Sequence, residues 1–138
     1  MPFLYRRTLT RSAPLPDSQI SAGNNLVGQI PSDLCLLSSS VQVLDFGNNG
    51  AGLSGQIPIC IDTFHRLIKI ELDDNGITGS LPPGLLSLPS LEKVEVYRNN
   101  ITGTIPEIGG RRLTTLLLEG NELTGTLPKS IGEAVNLG

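Results

Sequence analysis

The sequence predicts an α/β solenoid, a stack of short repeated units, and three observations carry that expectation. One phrase returns five times: an asparagine, a gap, an aliphatic residue, a gap, then Gly-x-Ile/Leu-Pro. Its copies run Asn24 to Pro31, Asn49 to Pro58, Asn75 to Pro82, Asn99 to Pro106 and Asn121 to Pro128, with prolines 27, 24, 24 and 22 residues apart. Before the asparagine, apolar residues alternate, as in Ile70-x-Leu72; after the proline a rhythm of three appears, as in Leu85, Leu88 and Leu91. A unit of this length buries its apolar edge only against its neighbours, so repetition at this interval means stacking.

Registered on the asparagine, the apolar residues fall into columns. One unit reads Leu67, Ile70, Leu72, Asn75, Ile77, Gly79, Leu81, Pro82, and the next Leu91, Val94, Val96, Asn99, Ile101, Gly103, Ile105, Pro106. The last full unit runs Leu113, Leu116, Leu118, Asn121, Leu123, Gly125, Leu127, Pro128. Alternation of period two is that of a strand with one buried face. The asparagine has both a donor and an acceptor, so it can satisfy backbone groups where the strand ends. The glycine allows a positive-φ corner and the proline ends pairing on that side. The rhythm Ile61, Phe64, Leu67 suits a short 3₁₀ or α turn on the outer wall.

Some units depart from the pattern. Gly50-Ala51-Gly52 brings two extra residues between Asn49 and Leu53, and the unit before is one residue long. The stretch 106–113 is two residues short, and its Gly109-Gly110-Arg111-Arg112 reads as a shortened convex loop with two exposed arginines rather than a phosphate loop. Upstream of Asn24 the columns fail, with Gln19 and Ser21 where aliphatics belong. Ile131, Ala134 and Leu137 begin a sixth unit. The expected organisation is an irregular basic segment over 1–16 and about five repeats plus the start of a sixth over 17–138. Neither end shows a cap, and open terminal repeats expose apolar core, so the chain is expected to be a fragment of something longer.

Composition narrows the function. Phe, Tyr and Trp make only 4% of the chain, which suits stacked Leu, Ile and Val. Residues 1–16 hold Arg6, Arg7 and Arg11 and no acid, leaving 7 basic and 13 acidic groups over the remainder. An acidic repeat region argues against nucleic acid, whose phosphates need a basic surface. No run approaches the ~20 apolar residues of a membrane span, and 1–7 lacks the apolar stretch of a signal peptide. As written, the sequence reads as soluble, with no direct membrane contact and no visible export signal. Cys35 and Cys60 fit either a disulfide or two thiols.

The columns resemble the plant-type, 24-residue subclass of the leucine-rich repeat family, whose phrase is LxxLxLxxNxLxGxIPxxLxxLxx. The resemblance covers roughly residues 17–138. It implies a curved right-handed solenoid with a parallel sheet on the concave side, short second strands after each asparagine, and 3₁₀ or short helical turns on the convex side. It also implies a non-catalytic module that binds a protein or peptide ligand, with a co-receptor as a further partner, in the extracellular or cell-surface ectodomain of a receptor-like protein or kinase in signalling or defence. A cytoplasmic scaffold is the alternative location. A secreted inhibitor similar to polygalacturonase-inhibiting proteins is a second role, and an ice-binding protein a third, from the rows Thr78-x-Ser80, Thr102-x-Thr104 and Thr124-x-Thr126.

A binding face follows from the columns between the buried ones. Asp45, Glu71 and Glu95 stand four places before their asparagines, Lys69 and Lys93 six, Asp73, Tyr97 and Glu119 two, and Arg98 one. Members of a column in a parallel sheet lie ~4.8 Å apart, so the first three make an acidic stripe, and like charges side by side are unfavourable. Either this face awaits a basic or polar partner, with Tyr97 and Arg98 as anchors, or it is a solvated surface whose acids are offset diagonally by Lys69 and Lys93. A paired-acid glycosidase fails on an open surface with nothing apolar to hold an acid protonated. His65, the only histidine, has no serine or cysteine tied to it by motif, and with Cys35 and Cys60 it makes a poor zinc set. No catalytic residue, cofactor or metal is expected. Asn100-Ile101-Thr102 is the one N-glycosylation sequon.

Overall fold

The structure, a computed structural model, describes residues 18–20 and 25–133. The basic segment 1–16, Ser21, Asn24, Ala134 and Leu137 lie outside the described residues. Eight strands appear in chain order: β1 (Ser18–Ile20), β2 (Gly28–Gln29), β3 (Val41–Asp45), β4 (Leu53–Gln56), β5 (Lys69–Glu71), β6 (Gly76–Thr78), β7 (Lys93–Glu95) and β8 (Thr115–Leu117). They form two parallel sheets, one ordered β1-β3-β5-β7-β8 and one ordered β2-β4-β6. Each repeat thus gives one strand to the larger sheet before its asparagine, and the first three give one to the smaller sheet after it. A 3₁₀ turn (Ser32–Leu37, Ile59–Thr63, Leu85–Ser87 or Lys129–Glu133) makes the third wall.

The register matches the columns: Leu44, Ile70, Val94 and Leu116 stand side by side. The first three are at most 1% exposed, and they pack with Leu67, Leu72, Ile77, Leu85, Leu91, Val96 and Ile101 into one core between the walls. The rhythm of three after each proline lies inside as well, Phe64 being fully buried. Toward the last unit burial weakens: Leu116, Leu118 and Leu123 are only half-buried and Leu127 is 65% exposed.

Three features differ from the sequence expectation. First, β1 exists although the columns upstream of Asn24 fail: Ile20 aligns with Leu44 after a register shift between Ser18 and Gln19. Ile20 stands four places before Asn24, where the other units use five, and that slip hides the strand. Second, the smaller sheet stops as regular strands at β6. Beyond it only the Ser80–Thr102 bridge and single bonds continue the pairing, such as Asn100 N–H to the Ile77 carbonyl at 2.8 Å and Thr124 N–H to that of Gly103 at 2.8 Å. Third, the two-residue-short stretch after Pro106 forms no 3₁₀ turn and lies flat on the turn before it. Gly110 N–H bonds the Leu86 carbonyl at 2.9 Å. A Cβ there would stand 3.0 Å from the carbonyl oxygens of both Leu86 and Leu88. Arg111 and Arg112 are exposed, and Arg112 pairs with Glu92.

The cysteine question is settled among the described residues: Cys35 and Cys60 form a disulfide with Cα atoms 5.7 Å apart. It ties the 3₁₀ turns of the first two units, and closing a loop of 25 residues stabilises by roughly 3 kcal/mol in the chain-entropy account.

Candidate recognition face

The repeated asparagine builds the rim of this face. Asn99 is 6% exposed; its amide donates to the carbonyls of Leu72 (2.8 Å), Val96 (3.1 Å) and Tyr97 (3.2 Å), and its Oδ1 accepts from Ile77 N–H (2.9 Å). Asn121 repeats the arrangement one unit on, bonding the Val96 and Leu118 carbonyls and accepting from Ile101 N–H. Each asparagine therefore closes its own strand end and locks onto the unit before it. Just ahead of it the chain turns through the left-handed region: φ is 58° at Asn48, 51° at Asp74, 52° at Arg98 and 69° at Gly120. Asn, Asp and Gly suit that conformation, whereas an arginine there costs ~1 kcal/mol. Arg98 is held by a 3.5 Å pair with Asp74, and its guanidinium lies 5.9 Å from the centre of the Tyr97 ring.

The outward columns come together as their spacing predicts. Asp45 stands beside Glu71 and Glu71 beside Glu95, with Lys69 beside Lys93. The lysines weave the acids together: Lys69 reaches Glu71 at 2.7 Å, and Lys93 bridges Glu71 at 3.2 Å and Glu95 at 2.9 Å. The Lys93–Glu71 contact is the diagonal offset the spacing allows. Burial pushes the Glu71 carboxyl up, but hydrogen bonds from Lys69, with Glu95 and with Lys93 outweigh it and hold the group below its ordinary value. The hydrogen bond to Glu95 raises Lys93, against a smaller effect of burial. Both groups stay charged at neutral pH.

Beside this network lies an open depression of about 270 Å³, lined by Asp45, Gly47, Asn48, Glu71, Asp73, Glu95 and Tyr97. Four carboxylates thus face it, with two lysines on its edge. The Tyr97 hydroxyl hydrogen-bonds the Asp73 carboxylate, which raises its pKa. Of the residues the columns single out, Asp45, Glu71, Asp73, Glu95 and Tyr97 line the hollow, Lys69 and Lys93 border it, and Arg98 stands exposed on the rim. Glu119 is exposed and lies outside the lining. The floor was not legible from side-chain chemistry. A Cβ on Gly47 would fall 2.5 Å from Asp73 Oδ1, so the glycine is what lets Asp73 lean inward; its place in the Asp73–Tyr97–Glu119 column was the available signal.

Elsewhere, His65 is exposed on the outer wall, and the disulfide removes both cysteines as ligands. No cluster of His, Cys, Asp or Glu with metal-holding geometry occurs among the described residues. Among them, no helix is long and apolar enough to cross a membrane. The threonine rows are engaged in stacking: Thr78, Thr102 and Thr124 donate to the carbonyls of Gly55, Gly79 and Gly103 in the preceding unit.

Two parallel sheets, a ladder of buried asparagines and a charged concave face define a repeat solenoid that presents a surface. The chain belongs to the leucine-rich repeat family: the Leucine Rich Repeat model matches residues 66–88 and 112–134. Solved structures agree. The chain is similar to a chain of the PEPR1–AtPEP1 structure at 35% identity and TM-score 0.79, over 86% of this chain and 17% of that one. It is similar to the Arabidopsis receptor kinase HAESA, in complex with the peptide hormone IDA and the co-receptor SERK1, at 28% identity and TM-score 0.81, over 90% and 20%. The ectodomain of the receptor kinase SOBIR1 from Arabidopsis thaliana aligns at 25% identity and TM-score 0.78, over 86% and 64%. The chain thus spans about a fifth of the longer of these chains. No curated protein matches it significantly in sequence.

Proposed function

We propose that this chain is a ligand-recognition segment of a leucine-rich repeat receptor-like ectodomain, working outside the cell or at its surface without catalysis. Its concave face takes a basic peptide or protein segment, and a co-receptor is a further partner. The observation that carries this reading is the open hollow with four carboxylates beside Tyr97 and Arg98. The Glu71 carboxyl is held below its ordinary value by its lysine partners, the reverse of what a general acid requires, which supports binding over glycosidase chemistry. The similarity to HAESA, crystallised with a peptide hormone and a co-receptor, supports the partner class, and the Cys35–Cys60 bond supports an oxidising compartment. Arg98 kept at positive φ also supports it, since strain of this kind concentrates at functional sites.

The test is selection of a random-peptide display library on the immobilised folded chain. Enriched peptides should be basic, and reversing charge with Glu71→Lys and Glu95→Lys should weaken them at least tenfold, or about 1.4 kcal/mol, with the circular dichroism unchanged. Arg98→Gly should weaken them several-fold without loss of stability. Binders indifferent to all three substitutions would move the site off the concave face.

A further inference from the structure

We propose that Asn100 carries an N-linked glycan that covers the second-strand flank and leaves the concave hollow open. The inference rests on the extracellular reading above. Asn100-Ile101-Thr102 is the only sequon in the chain, and two adjacent asparagines there have opposite fates. Asn99 is buried and its amide is committed to three carbonyls; a sugar on it would break the ladder. Asn100 is exposed and anchored by its backbone, through its N–H to the Ile77 carbonyl, so its side chain is spare. That carboxamide makes one contact, to Glu122 Oε1 at 3.5 Å, the outer limit of a hydrogen bond. In the preceding unit the same position is Gly76, which has no side chain to crowd a glycan.

The co-reactant is a lipid-linked oligosaccharide pyrophosphate. Asn100 Nδ2 forms a bond to the anomeric carbon, the C1–O bond to pyrophosphate breaks with its electron pair going to the leaving lipid pyrophosphate, and the amide proton passes to a base of the transferase. The Thr102 hydroxyl completes the sequon. Once attached, the sugar stands at the corner past Asn99, over the exposed hydroxyls of Thr78, Thr102 and Thr124. A partner is then left the concave face and the opposite edge.

The test sends the full chain, behind a cleavable leader, into the secretory pathway of plant cells and reads total cellular and secreted chain by mass. Wild type should carry one glycan that peptide N-glycosidase removes, leaving aspartate at 100. Asn100→Gln and Thr102→Val should lose it and Thr102→Ser should keep it, all with the Cys35–Cys60 bond formed. A disulfide-bonded chain with unmodified Asn100 overturns the inference. Glycan is read by mass and recognition by peptide capture, so the two readings fail separately: a glycosylated chain whose peptide binders ignore the Glu71 and Glu95 substitutions would sink only the recognition site.

Discussion

The rung at Asn75 and the rungs that follow it are built from the same phrase and end differently. At Asn99 and Asn121 the side-chain oxygen receives the N–H of the aliphatic residue two places after the preceding asparagine, Ile77 and Ile101. At Asn75 the amide still donates to Phe46, Leu72 and Asp73, but its Oδ1 is buried with no hydrogen-bond partner among the described residues. The cause lies one unit back. Gly50-Ala51-Gly52 forms an extra 3₁₀ turn that displaces the aliphatic residue to Leu53, and Gly52 N–H bonds the Asn49 carbonyl instead. A buried orphan acceptor costs about 1–3 kcal/mol. The same irregular end carries the disulfide, whose contribution of roughly 3 kcal/mol is large enough to offset it. The gap lies between the second and third units, whereas the disulfide joins the first two, where Leu26 N–H still reaches Asn49 Oδ1 at 3.0 Å. The covalent tie strengthens the stack next to the gap, and the units after Asn75 have none among the described residues.

Four measurements break or sharpen that contrast. The largest effect is expected in the core. Ile77→Ala, at a fully buried position of the regular part, should cost ~4 kcal/mol in urea denaturation. Leu53→Ala is equally buried but follows the inserted turn, which can relax into the cavity, and should cost about 1 kcal/mol less; equal losses would show that the insert is as rigid as the rest. Next, Cys35→Ser with Cys60→Ser should lower stability by about 3 kcal/mol. Hydrogen exchange should loosen in residues 26–63 before 67–118, and uniform loosening would remove the compensating role.

The asparagines give the third comparison. Truncating Asn99 strands Ile77 N–H, whereas after Asn75→Ala each carbonyl keeps a donor, from Asn49, Asn99 or Asn48 N–H. Asn99→Ala should therefore cost ~2–3 kcal/mol and Asn75→Ala about 1 kcal/mol. The smallest effect is electrostatic. Glu71 is held below its ordinary 4.5, so its contribution is complete above that pH and is lost as pH falls through the lower folded value. Lys93 is raised above 10.5, so its contribution is complete below that pH and is lost as pH rises through the higher folded value. Glu71→Gln should flatten the acid limb of a stability–pH curve and leave the limb above pH 10.5 shallower but present. An unchanged acid limb would mean the lysines contribute nothing through Glu71.

Much of this was legible in the sequence for a specific reason. A solenoid repeats its contacts at a fixed interval, so columns in the sequence are neighbours in space: Glu71 beside Glu95 and Lys69 beside Lys93 could be read before any coordinates. The reading weakened wherever the interval slipped. Ile20 is one place off its column and β1 went unseen; the short loop at Gly109 and Gly110 was anticipated, but not its seat on the carbonyls of Leu86 and Leu88. The hollow's acids were named and its floor was not, because Gly47 matters for the side chain it does not have.

By itself the sequence determined the stack, its two edges, the buried columns and the charged face, since these depend on side-chain periodicity and on the few residue types that tolerate a corner. Tertiary structure decided the rest. Pairing of Cys35 with Cys60 depends on two outer turns meeting. The orphan at Asn75 depends on a turn inserted a unit earlier, and the exposure of Asn100 beside buried Asn99 depends on which amide the ladder consumes. Each is a contact between units, and spacing within one unit carries no record of whether its neighbour kept register.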